Sequence, residues 1–184
     1  MKTRKFVSIA FFALVFGATS FAQKSVMVGG AAMYPTRNII ENAVNSKDHT
    51  TLVAAVKVAG LVETLQSKGP FTVFALTNAA FDKLPKGTVE TLLKPENLKM
   101  LQTILAYHVI GGKMNTSDIT KAIKMGKGKA ILKTVSGGTL TAWMKGKNLY
   151  ISDENKNKAK VTIADVNQSN GVIHVIDAVV LPKQ

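Results

Sequence analysis

Phe71-Thr72-Val73-Phe74-Ala75-Leu76-Thr77-Asn78-Ala79-Ala80-Phe81 is the stretch on which the fold turns. Residues 71–76 alternate in the β manner, with Phe71 and Val73 on one face. Thr77 and Asn78 then offer side-chain oxygens to the unpaired N–H groups of a first helical turn. A buried strand therefore passes directly into a short helix that carries Phe81 and stops at Leu84-Pro85.

Toward the N-terminus, Ile39, Ile40, Ala43 and Val44 have helical spacing, as do Leu52, Val53, Val56 and Ala59 before Gly60. Residues 61–65 form another short turn of helix, stopped by Ser67-Lys68-Gly69-Pro70. Residues 23–37 form a lead-in, extended through the small and apolar stretch to Tyr34. Toward the C-terminus a polar start at Thr88 opens a short helix, and Pro95 precedes a longer one marked by Leu98, Leu101, Ile104 and Leu105. Residues 107–110 read as extended. Residues 116–125 return to helical spacing, with Ile119, Ala122 and Ile123 inward. Strands follow at 130–135, 139–144, 149–151, 160–166 and 172–180, most of them separated by turns at Gly137-Gly138, Lys145-Gly146-Lys147 and Ser169-Asn170-Gly171. The last strand is almost wholly apolar, which predicts a central position covered on both faces. Short helices in front of a β meander make a single α+β domain.

Three blocks in this order resemble the signature of fasciclin-like (FAS1) domains. They are residues 71–81 with Leu84-Pro85, the segment Tyr107-His108-Val109-Ile110, and Asp165-Val166 followed by residues 169–177 and Leu181-Pro182. The resemblance covers roughly residues 38–182 and places the domain at 38–184. It implies short N-terminal helices packed on a sandwich-like pair of sheets, and a role in adhesion, matrix contact or biofilm cohesion. In animal relatives the tyrosine-histidine segment and the Asp-Ile type of pair are linked to integrin recognition. Carried over, the binding residues are Tyr107, His108, Asp165 and Val166, although a bacterial partner would differ and all four also serve to hold strands together. One departure is Leu76, where the family usually has proline; leucine leaves the bend less rigid without altering the fold.

Lys2, Arg4 and Lys5 precede an apolar run over 6–16 and the small-residue end Ser20-Phe21-Ala22, the order of a signal peptide cleaved before Gln23. The run of about eleven residues is short of the roughly 20 that cross a bilayer. No later stretch is long and apolar enough to span one. The expected product is secreted, extracellular or periplasmic. There is no cysteine, which removes disulfides, thiolate metal sites and cysteine nucleophiles together.

The net charge is +13, of which +10 falls beyond the signal segment, and residues 113–160 alone carry eleven lysines against Asp118, Asp153 and Glu154. Such an excess attracts polyanions, and Lys121, Lys124, Lys129, Lys145 and Lys147 are the candidate patch. The same lysines also serve solubility as a solvated surface. Arg37 is the only arginine beyond position 22, which argues against a dedicated nucleic-acid binder, because bidentate phosphate recognition favours arginine. Export makes anionic polysaccharide, lipid phosphate headgroups or released DNA the polyanions within reach, and anionic polysaccharide or a cell-surface or matrix protein is the expected partner.

Catalytic and metal sites lack their patterns. His49, His108 and His174 have none of the spacings of a metal site, and His108 and His174 are expected to donate a ring N–H to a backbone carbonyl or a tyrosine. There is no Gly-x-Ser-x-Gly elbow, and Gly126-Lys127-Gly128-Lys129 lacks the spacing and the Ser/Thr of a phosphate loop. Neither an enzyme nor a cofactor is indicated. The rival to adhesion is a soluble carrier of an apolar small molecule such as a carotenoid, which some fasciclin-like proteins bind. Met27, Met33, Met100, Met114, Met125, Met144, Trp143 and Tyr150 would be its adaptable lining.

Overall fold

The computed structural model describes residues 24–183. The predicted signal peptide, residues 1–22, lies outside the described residues.

The expected lead-in is a hairpin of β1 (Val26–Val28) and β2 (Ala31–Met33), whose Val28 and Met33 are buried in the core. Four short helices and a strand follow: α1 (Ile39–Ala43), α2 (Thr50–Val58), α3 (Val62–Gln66), β3 (Phe71–Leu76) and α4 (Asn78–Phe81). Helix α1 starts at a reciprocal cap, Asn38 accepting from the Glu41 N–H while Glu41 accepts from the Asn38 N–H. At α4, Thr77 Oγ1 accepts from Ala80 N–H at 3.1 Å, as expected from the sequence, but Asn78 does not cap this helix: its Oδ1 accepts from the Thr51 N–H of α2 and its amide donates to the Lys47 carbonyl, tying α4 to α2 instead.

Helices α5 (Thr88–Leu92) and α6 (Leu98–Tyr107) lead to β4 (Val109–Gly111). The chain is thus still helical at Tyr107, where sequence suggested an extended run, because Leu101, Ile104, Leu105 and Tyr107 continue one buried helical stripe. Helix α7 (Thr116–Met125) precedes β5 (Ala130–Lys133), β6 (Thr139–Lys145), β7 (Asn148–Ser152), β8 (Lys158–Gln168) and β9 (Gly171–Ile176). Strand β9 is shorter than its apolar run, since residues 177–180 leave the sheet.

Seven strands form one sheet in the order β4-β3-β9-β8-β7-β6-β5, antiparallel except for the β3–β9 pair. The pair of sheets is realised as two halves sharing β8, whose register shifts between Val161 and Val166 and so lets the sheet bend. The outer strands meet where Val135 N–H, just beyond β5, donates to the Val109 carbonyl of β4 at 2.8 Å.

This wrap creates two cores. Phe74, Leu76, Tyr107, Leu140, Ile151 and Ile176 fill the inside, with α7 contributing Ile119 and Ile123. Val73, Ala75, Ile173 and Val175 face the other way, against α1, α2, α3 and α6. Each of β3 and β9 feeds both cores alternately, which is why β9 reads as continuous apolar sequence. The β8–β9 turn departs from expectation: neither Ser169 nor Asn170 has positive φ, so it is not the Asn-Gly type of hairpin turn. Gly171 is required for proximity instead, because a Cβ there would collide with the Phe71 carbonyl of β3. The Asn170 side chain ties the turn to the helices, accepting from Ile39 N–H and donating to the Leu65 and Ser67 carbonyls.

Candidate functional site

Tyr107 ends α6 fully buried, and its hydroxyl donates to the Thr139 carbonyl of β6 at 2.6 Å. Its ring lies so close to Gly138 that a Cβ at that position would meet it. Burial pushes the phenol up to about 12. His108, the next residue, has its Nδ1 at 2.8 Å from the Ile104 carbonyl and its Nε2 at 3.4 Å from the Val180 N–H. A carbonyl only accepts and an amide N–H only donates, so the proton sits on Nδ1 and the ring is neutral. Burial lowers its pKa to about 4, against the smaller opposing effect of the Ile104 carbonyl.

Asp165 and Val166 lie on the bent part of β8. Asp165 has φ of 57°, a left-handed conformation that aspartate tolerates better than most residues. Its carboxylate accepts from both the N–H and the hydroxyl of Thr116, each at 2.6 Å, and so holds the first residue of α7. Val166 is fully buried on the helix side. His174 lies across from this bend on β9, its Nδ1 at 3.3 Å from Asp165 N–H and its Nε2 at 2.9 Å from the Met114 carbonyl. Burial lowers its pKa as well. Tyr107, His108 and Val166 thus present almost no side-chain surface, and both carboxylate oxygens of Asp165 are engaged. His49 is buried elsewhere, with Nδ1 at 2.8 Å from Ser46 Oγ. Among the described residues no three His, Asp or Glu side chains gather as metal ligands.

The lysines divide. Lys121 and Lys124 project from the exposed side of α7, opposite Ile119 and Ile123, which enter the inner core. Lys129 immediately precedes β5, and Lys145 and Lys147 flank Gly146 in the β6–β7 turn. All five are exposed, but those on the helix point away from the sheet. What the sheet does gather was missed from sequence. On the outer side of β5–β8, Trp143 is paired with Tyr150, the rings stacked with centroids 5.7 Å apart at 17°. Tyr150 is paired on its other side with Lys160, and Ser152 with Lys158. Alternation alone puts Trp143 and Lys145 on one face of β6, but only the strand register sets Tyr150 and Lys160 beside them.

The carrier residues scatter too. Met33 is buried, Met27 and Met125 are exposed, and Met114 and Met144 pack against the inner core. Met100 alone among the eight joins Leu76, Phe81, Leu84, Ile104 and Val179 in lining an apolar groove of about 550 Å³ beside α4–α6.

The profile of the Fasciclin domain matches residues 47–182. The chain belongs to the fasciclin family. Protein sll1483 of Synechocystis sp. is 46% identical over 160 residues, covering 87% of this chain and 82% of that protein. Immunogenic protein MPB70 of Mycobacterium bovis is 33% identical over 145 residues, 76% of this chain and 66% of its own. Human periostin is 30% identical over 135 residues, 73% of this chain but only 15% of periostin. The fold matches a FAS1 domain pair from the insect cell adhesion molecule Fasciclin I with a TM-score of 0.70 and 20% identity, over 79% of this chain and 51% of that one. In this fasciclin domain the tyrosine-histidine and Asp-Val motifs are hydrogen-bonded joints between elements.

Proposed function

We propose that this fasciclin-domain protein is an exported, non-enzymatic binding module whose contacts are with cell-surface or matrix material, anionic polysaccharide foremost. The observation that carries this reading is the uncovered, lysine-bearing outer face of β5–β8. None of Trp143, Lys145, Tyr150, Ser152, Lys158 and Lys160 belongs to either core, and among the described residues the single ion pair, Lys83–Asp177, involves none of these lysines. Unpaired lysines on an uncovered face keep their attraction for an anionic polymer. The name of the insect relative, a cell adhesion molecule, agrees with such a role. The motif residues Tyr107, His108, Asp165 and Val166 would serve binding by holding the framework that displays the exposed surface.

Retention on an immobilised acidic polysaccharide tests this. The protein should be retained at low salt and released as salt rises, since exposed charges are screened over about 8 Å at physiological ionic strength. Replacing Lys121 and Lys124 by Gln asks whether the helix contributes, and replacing Lys129, Lys145 and Lys147 asks the same of the strand ends and turn. Failure of the unaltered protein to be retained on any polyanion would sink the reading.

The groove beside α4–α6 favours a second reading, a carrier of an apolar small molecule. Its volume of about 550 Å³ falls in the usual range of small-molecule sites. Loading with a carotenoid should shift the pigment's absorbance, and Leu84→Trp, which fills the groove, should abolish the shift. Equal loading of both proteins would remove this reading.

A further inference from the structure

The outer face of β5–β8 carries more than charge. Trp143 and Tyr150 are directly opposite across β6 and β7 and stack at 5.7 Å. Both are only partly covered, although apolar rings of this size gain most by entering a core. The inner core takes Leu140, Ala142, Leu149 and Ile151 from the same two strands and leaves this pair outside. Most neighbouring outward positions are polar: Thr141, Ser152 and Asn148 supply hydroxyl and amide groups, and Lys145, Lys158 and Lys160 supply cations, while the exposed Ile131 of β5, across from Thr141, adds an apolar side chain. Two carboxylates lie near the edges of this face and both are occupied. Glu154 accepts from the Thr139 N–H and hydroxyl, while Asp177 accepts from Lys160 N–H and pairs with Lys83.

We propose that this face, with the Trp143–Tyr150 pair at its centre and Lys145, Lys158 and Lys160 around it, is a binding site for an acidic polysaccharide of the polyuronate type. The proposal rests on the binding-module reading above and names its site and ligand. A pyranose ring has an apolar C–H face that packs on an aromatic ring, hydroxyls at its edge that pair with Thr, Ser and Asn, and in a uronate a carboxylate that pairs with lysine. Each of those partners is present on one sheet face. Single-stranded nucleic acid also uses aromatic and cationic groups, but the face has no arginine for phosphate. The two rings are also already turned on each other, which leaves no slot for a base between them.

Trp143 is the only tryptophan of the chain, so its fluorescence reports this site alone. Alginate oligosaccharide titrated into the full protein should change that emission saturably, whereas neutral dextran, polyglutamate of matched charge and oligothymidylate should bind more weakly. Calorimetry on Trp143→Ala and on Tyr150→Ala should show affinity for alginate reduced about tenfold, the scale of one lost stacking contact. Tyr150→Ala keeps the fluorophore but removes its stacking partner, so an unchanged far-ultraviolet circular-dichroism spectrum and a cooperative thermal transition, rather than the emission, confirm that it is folded. Lys158→Gln with Lys160→Gln should weaken binding and flatten its dependence on salt. If polyglutamate binds as tightly as alginate and neither aromatic variant matters, this site is overturned while polyanion binding through charge alone stands. Tighter binding of oligothymidylate than of alginate overturns it in favour of nucleic acid. If no polyanion binds at all, the site and the binding-module reading fall together.

Discussion

Asp165 and His174 are joined across β8 and β9, and between them they hold the start of α7. Asp165 N–H donates to His174 Nδ1 at 3.3 Å. The carboxylate of the first accepts hydrogen bonds from both the N–H and the hydroxyl of Thr116, and the second ring nitrogen of the other reaches the Met114 carbonyl. A bend in one strand and a buried histidine in the next thus fix where a helix begins.

Asp165→Ala should therefore destabilise the domain by about 2 kcal/mol, from the loss of charge-assisted hydrogen bonds and of aspartate's tolerance for positive φ. Asp165→Asn keeps that tolerance and one acceptor, and should cost less. Urea denaturation of both variants measures the difference. An alanine variant as stable as the original would mean that this joint carries no energy.

Acid should weaken the fold through its buried histidines. His108 binds a proton near pH 6.5 when unfolded and only near pH 4 when folded, so between these values the unfolded chain holds more protons. Stability is then full above about pH 6.5 and is lost as pH falls toward 4, by up to about 3 kcal/mol from this residue. His49 and His174, also lowered by burial, act in the same direction. Glu154, held below the usual range by the Thr139 hydroxyl and N–H, acts only at lower pH. His108→Gln should give a flatter profile of melting temperature between pH 7 and 5; an unchanged slope would assign the effect elsewhere.

Tyr107→Phe removes the donor to the Thr139 carbonyl and should cost about 1–2 kcal/mol, the penalty for a buried acceptor left unpaired. Alkaline titration followed by ultraviolet absorbance provides a separate check. One of the three tyrosines should stay protonated well above pH 10 in the folded protein, and that resistant signal should vanish in the variant.

Gly171→Ala should prevent normal folding, since its Cβ meets backbone of β3 that cannot move aside without breaking the parallel β3–β9 pair. Soluble expression with a native circular-dichroism spectrum would contradict this. At Gly30 a methyl group would find nothing within 4 Å, so alanine there meets only the cost of its positive φ and should be tolerated far better.

If residues 1–22 are a cleaved signal peptide, as their sequence order proposes, the mature protein should begin at Gln23, after Ser20-Phe21-Ala22. Mass spectrometry of the exported protein that finds Met1 retained would refute it.

Local sequence determined the elements, because strand period, helix caps and breakers act within a few residues. Residues 71–81 declare a strand passing into a helix, 116–125 an amphipathic helix and 172–176 a strand covered on both sides, and the three family blocks identify the fold. Tyr107 was harder, since its helical state depends on burial beside Leu101, Ile104 and Leu105, and a Tyr-His-Val-Ile run is equally good strand sequence. Function was less legible for the same physical reason. The lysines at 121, 124, 129, 145 and 147 are dense in sequence, but α7 and the β6–β7 turn point them in different directions. Only the register across three strands placed Trp143, Tyr150 and Lys160 side by side, and only the curvature of the sheet left that face outside both cores. Register and curvature come from pairings between distant residues, so no local pattern in the chain encodes them.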